Sequence, residues 1–91
     1  MNKYIIERNL PGVHKMSPEE YKGAATASNA ALVQLAPRVQ WVESYVTQDK
    51  TYCVYIAEDE GVIHEHAKLS GFPANRIIEV ARKIDPMTAE D

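Results

Sequence analysis

Two segments rich in β-branched and aromatic residues, Val39–Thr47 (VQWVESYVT) and Thr51–Ala57 (TYCVYIA), stand in the middle of the chain with only Gln48-Asp49-Lys50 between them. Strand formers joined by so short a polar loop predict a hairpin. A central hairpin constrains both flanks, because each must supply the elements that complete its sheet. On the N-terminal side, Lys3–Arg8 (KYIIER) reads as a strand closed by the turn Leu10-Pro11-Gly12. Ser17-Pro18-Glu19-Glu20 then announces a helix: Ser17 as N-cap, Pro18 where no N–H is needed, Glu20 reaching back to close a capping box. Tyr21, Ala24, Ala25, Ser28, Ala31, Leu32 and Leu35 recur at helical spacing until Pro37 forbids continuation. On the C-terminal side, Asp59 caps a second helix over Glu60–Ser70 that Gly71 ends, and Arg76–Arg82 (RIIEVAR) supplies a last strand.

The resulting order is β-α-β-β-α-β. Two right-handed crossovers put both helices on one face of a four-stranded antiparallel sheet, an α+β ferredoxin-like sandwich occupying residues 1–86, with 87–91 a polar tail. The other sheet face needs polar residues or a partner. A chain of 91 residues buries only about 60–65% of the surface its unfolded form exposes. A homodimer packed sheet to sheet, of the dimeric α/β-barrel type, is therefore expected.

Composition removes other classes. Ten Lys and Arg against 13 Asp and Glu give a formal charge of −3 with no basic cluster, which argues against nucleic acid as a partner. No apolar run approaches the roughly 20 residues that span a bilayer, and Met1–Ile6 has no signal-peptide core, so no membrane association and a cytoplasmic location are expected. The single cysteine, Cys53, forbids an internal disulfide and agrees with a reducing compartment.

Trp41-Val42-Glu43-Ser44-Tyr45-Val46, Tyr52-Cys53-Val54-Tyr55-Ile56-Ala57, Glu65-His66-Ala67 and Gly71-Phe72-Pro73-Ala74-Asn75, with the opening Tyr4-Ile5-Ile6-Glu7-Arg8, closely resemble a bacterial family of small proteins. It is a family of unknown function in which one characterised member type binds nickel. The resemblance runs from about Lys3 to Pro86 and implies a ferredoxin-like fold, a homodimer and, in that member type, nickel held at the dimer surface. Some relatives carry a histidine before the glycine that ends the second helix and paired histidines in the first strand. Here Ser70 and Glu7-Arg8 stand at those places.

Among residues that could carry chemistry, His66 shares the inward stripe of the second helix with Val62 and Ile63, so its ring should face the sheet, as a hydrogen-bonded core residue, a metal ligand or a proton carrier. His64 lies about 160° away around the helix, so the two rings cannot chelate one ion from a single helix. His64 and His14 read as surface imidazoles, available to nickel or another divalent transition metal if a second copy completes the site. The hairpin allows two registers. In the more cleanly amphipathic one, Trp41, Glu43, Tyr45, Cys53 and Tyr55 share a polar-aromatic face while Val42, Val46, Val54 and Ile56 lie under the helices. In the other, Ser44, Cys53 and Tyr55 join Val42 and Val46 beneath the helices, where Cys53 could meet His66. Glu43, between two aromatics, needs a partner such as Arg8, Lys3 or Arg76, or a catalytic role. Cys53 is by default a small buried hydrophobe.

Two functions follow as expectations. The first is a homodimeric metal-binding protein, for nickel above all, that sequesters or buffers the ion with His66, His64 and His14 as candidate ligands. The second is a cofactor-free enzyme or binder of small apolar ligands, with Trp41, Tyr45 and Tyr55 as walls and Glu43 or His66 moving protons.

Overall fold

The structure is a computed structural model that describes residues 1–90. Strands β1 (Asn2–Asn9), β2 (Val39–Val46), β3 (Lys50–Ala57) and β4 (Arg76–Glu79) form one antiparallel sheet in the order β2-β3-β1-β4. Helices α1 (Pro18–Leu35) and α2 (Glu60–Ser70) pack on the same side of it, giving the expected ferredoxin-like sandwich. No helix is long and apolar enough to cross a membrane among the described residues.

Local signals set the helix ends. Ser17 Oγ accepts from the Glu20 N–H at 3.2 Å while the Glu20 carboxylate accepts from the Ser17 N–H at 3.0 Å, so both halves of the capping box form. Asp59 caps α2 by accepting from the Val62 N–H at 3.0 Å. Gly71 closes that helix at φ 81°, a backbone conformation that residues with a Cβ rarely adopt. Strand β4 is shorter than the expected Arg76–Arg82. Its last paired residue is Glu79, opposite Tyr4, and beyond it the Val80 N–H donates to the Lys3 carbonyl at 2.8 Å near the start of β1. The chain leaves the sheet there and finishes in an exposed 3₁₀ turn over Pro86–Glu90. Asp91, last residue of the expected tail, lies outside the described residues.

The hairpin departs from the preferred register. Trp41 pairs with Tyr55 and Glu43 with Val54, leaving Val42 as an unpaired extra residue, a β-bulge. The bulge shifts the alternation, so Trp41, Ser44 and Val46 point to the helices while Glu43 and Tyr45 point away. On β3 the inward residues are Thr51, Cys53, Tyr55 and Ala57, all buried, whereas Val54 and Ile56 are half-buried on the outer face. Trp41, Glu43, Tyr45, Cys53 and Tyr55 therefore do not share a face, and Val54 and Ile56 do not lie under the helices.

The core forms where Tyr4, Ile6, Val39, Tyr55 and Ala57 from the sheet meet Leu35, Val62 and Ile63 from the helices. On the opposite side Ile5, Tyr52, Val54 and Ile56 are half-buried, and Tyr45 and Ile78 are exposed.

Candidate functional site

The alternation of β1 that buries Tyr4 and Ile6 also turns Arg8 inward, where it is only 3% exposed. Its Nη1 donates to the Pro73 carbonyl at 2.7 Å, in the turn after α2, and its guanidinium lies 5.9 Å from the centre of the Tyr55 ring. Nη2 is buried with no partner among the described residues. A guanidinium stays protonated, so the fold holds a positive charge under α1.

Beside it stands a chain of polar groups. The Tyr55 hydroxyl lies 3.5 Å from Ser28 Oγ, which lies 3.1 Å from His66 Nε2, and the Tyr55 and His66 rings meet edge to face at 5.1 Å. The inward stripe of α2 places His66 here, completely buried, as its helical position predicted. Burial first, and the charge of Arg8 second, lower its pKa from 6.5 to about 4, against the smaller opposing effect of Ser28, so the ring is neutral at physiological pH. Nδ1 has no partner. The tautomer protonated on Nε2 leaves only a lone pair unmatched there, and the bond then runs from His66 Nε2–H to Ser28 Oγ, freeing the serine O–H to donate. Burial raises the Tyr55 phenol above its usual pKa, with the Ser28 bond and the Arg8 charge opposing, so it too is neutral.

These groups sit at one end of a cleft of about 590 Å³ between α1 and the β2–β3 side of the sheet. Tyr21, Ala24 and Ala25 of α1 form one wall, Trp41, Ser44 and Val46 of β2 another, and Arg8, Ser28, Cys53 and Tyr55 line it as well. The alanine face of α1 makes the space, because small side chains leave the sheet uncovered there. Trp41 Nε1 donates to Ser44 Oγ at 2.9 Å, which satisfies the indole within the wall.

The remaining sequence candidates lie elsewhere. Glu43 and Tyr45 are on the outer sheet face, where the tyrosine hydroxyl donates to the carboxylate, and Glu43 has no ion pair among the described residues. Neither residue expected to move protons lines the cleft: Glu43 faces away, and His66 stands behind Ser28 and Tyr55. Cys53 shares the buried side with His66, and its thiol contacts the Thr51 hydroxyl at 3.7 Å. His64 is exposed on the outer side of α2, four residues after the exposed Glu60. His14, in the 3₁₀ turn after β1, is exposed and bonds through Nδ1 to the Gln48 carbonyl at 2.8 Å. The three histidines thus occupy three different surroundings. Among the described residues no three His, Cys, Asp or Glu side chains come together where they could hold an ion. Arg8 and Ser28 were not recognised as candidates from sequence. The alternation Tyr4, Ile6, Arg8 is the signal that marks the arginine as inward.

Residues 4–80 match the family described as nickel responsive protein SCO4226-like. Comparison with curated proteins finds no match. Among solved structures, the fold resembles the crystal structure of SCO4226 from Streptomyces coelicolor A3(2), with a TM-score of 0.75, 15% identity, and coverage of 90% of this chain and 99% of that one. At that identity the likeness is one of fold.

Proposed function

Because this chain belongs to the SCO4226-like family of nickel responsive proteins, we propose that it is a small homodimeric nickel-binding protein that sequesters or buffers the ion. The family match, spanning residues 4–80, carries the reading. Two features of the chain support it. His14 offers its Nδ1 to the Gln48 carbonyl, the arrangement that in metal-ligating histidines fixes the tautomer and leaves Nε2 for the ion. Glu60 and His64 are four residues apart on the exposed side of α2, spacing that brings a carboxylate and an imidazole together. Imidazole and oxygen donors suit nickel, which such sites hold more tightly than cobalt or iron(II). Each set is incomplete within one chain, and in this reading water or a second copy supplies the remaining donors.

The second copy covers the outer sheet face. Ile5, Val54, Ile56 and Ile78 form its apolar centre, and a groove there has Glu43 on one side and Lys3, Arg82 and Lys83 on the other. A face carrying both signs of charge is self-complementary under two-fold symmetry. Titration calorimetry of tag-free protein with nickel tests the reading: saturable heat is expected, and its loss in the His14→Ala, His64→Ala double variant. Absence of saturable heat, or heat unchanged in the variant, overturns it. Light scattering should give twice the chain mass, reduced to one chain by Val54→Glu.

A further inference from the structure

The cleft under α1 is one counter-ion short. Arg8 is 3% exposed, its Nη2 has no partner, and no carboxylate lies within 4.0 Å of it among the described residues. An unpaired buried charge is costly, and the Pro73 carbonyl and the Tyr55 ring face compensate it only in part. The acids nearest in the sheet are turned from it. Glu7, next along β1, faces outward to Lys50 at 3.4 Å, and the Val42 bulge sends Glu43 to the same outer face.

The space next to this charge has the size of a small-ligand site, about 590 Å³. Its walls are mostly apolar, with Tyr21, Ala24 and Ala25 on α1 and Trp41 and Val46 on β2. Of the hydroxyl groups that line it, Ser44 is taken up by the Trp41 indole, and the Ser28 and Tyr55 hydroxyls neighbour each other at 3.5 Å with the Tyr55 ring against Arg8. One anionic head and one hydrocarbon body match that division. We infer that the cleft binds a small monocarboxylic acid with an apolar body, its carboxylate paired with Arg8 and its hydrocarbon against Trp41 and the alanines of α1. In the tautomer with His66 protonated on Nε2, Ser28 Oγ accepts from the neutral ring and the serine proton is free to donate. Nη2 is closed off from solvent, so docking includes a small shift of the guanidinium toward the cleft. The inference is independent of nickel, since neither His14 nor His64 lines the space.

Octanoate and its neutral counterpart octanamide are suitable probes, with chelator present. Trp41 is the sole tryptophan and forms part of the wall, so its fluorescence reports occupancy, and calorimetry gives the affinities. Octanoate should bind saturably and at least ~10-fold more tightly than octanamide, the discrimination expected of a charge-assisted hydrogen bond. Arg8→Met should abolish that preference. Ala25→Phe, which fills the space from the exposed side of the core, should weaken both probes while circular dichroism stays unchanged. Equal affinity for acid and amide, no saturable binding, or octanoate binding indifferent to Ala25→Phe would each overturn the inference. If Arg8→Met does not fold, the acid–amide comparison on the unaltered chain and the Ala25→Phe result decide it.

Discussion

Nε2 of His66 on α2 lies 3.1 Å from Oγ of Ser28 on α1, so a buried polar bond links the two helices. The ring is neutral because burial and the charge of Arg8 disfavour its protonation, which would leave the bond to Ser28 in place but add an unpaired charge beside the guanidinium.

Acid should therefore unfold the protein partly through His66. The groups facing it are Ser28 from α1, Tyr55 from β3 and Arg8 from β1. A histidine whose folded pKa of about 4 lies below its ordinary 6.5 binds its proton more readily when unfolded, so stability is complete above pH 6.5 and falls as pH drops toward 4. By pH 4 the loss approaches ~3 kcal/mol. Urea unfolding between pH 7 and pH 4, with chelator to keep the His64 side metal-free, should show that decline in the unaltered protein and a shallower one in His66→Gln. Parallel declines would assign the acid sensitivity to carboxylates instead.

Ser17→Ala removes one arm of a complete capping box and leaves the Glu20 N–H in the first turn of α1 without its acceptor. The expected loss is about 0.5–2 kcal/mol, read as a lowered midpoint in urea with unchanged slope.

Ile6 and Ile78 test the two sides of the sheet. Ile6 is fully buried under the helices, and Ile78 is 38% exposed on the outer face. Ile6→Ala should cost ~2–5 kcal/mol of chain stability. Ile78→Asp should leave the fold and instead weaken self-association, which dilution in light scattering measures.

Val42 is the extra residue of the β2 bulge, so its deletion should restore regular pairing without turning Trp41 or Ser44 from the cleft. Trp41 emission should stay that of a half-buried indole. A shift to the emission of exposed tryptophan would show that the strand had slipped its register.

Local chemistry made most of the fold legible. Ser17 with Glu20, Asp59 and Gly71 mark helix ends through contacts only a few residues apart, and the stripe Val62, Ile63, His66 announces which way that histidine faces. The hairpin register was not legible in the same way. Trp41, Glu43 and Tyr45 alternate perfectly in sequence, yet pairing with β3 depends on a bulge that no local preference at Val42 signals. The site suffered most from that. Its aromatic wall was expected next to Glu43, whereas the cleft has Arg8 as its charged group, a residue whose importance lies in what does not surround it.

The bulge at Val42 also works as a parity switch within one strand. Before it the odd-numbered Val39 and Trp41 face the helices; after it the even-numbered Ser44 and Val46 do. In unbroken alternation from Trp41, Glu43 would face the helices and bring an acid to the side that holds Arg8, giving the cleft an internal counter-ion. One unpaired residue thus sets the electrical sign of a cavity to which it contributes no side chain.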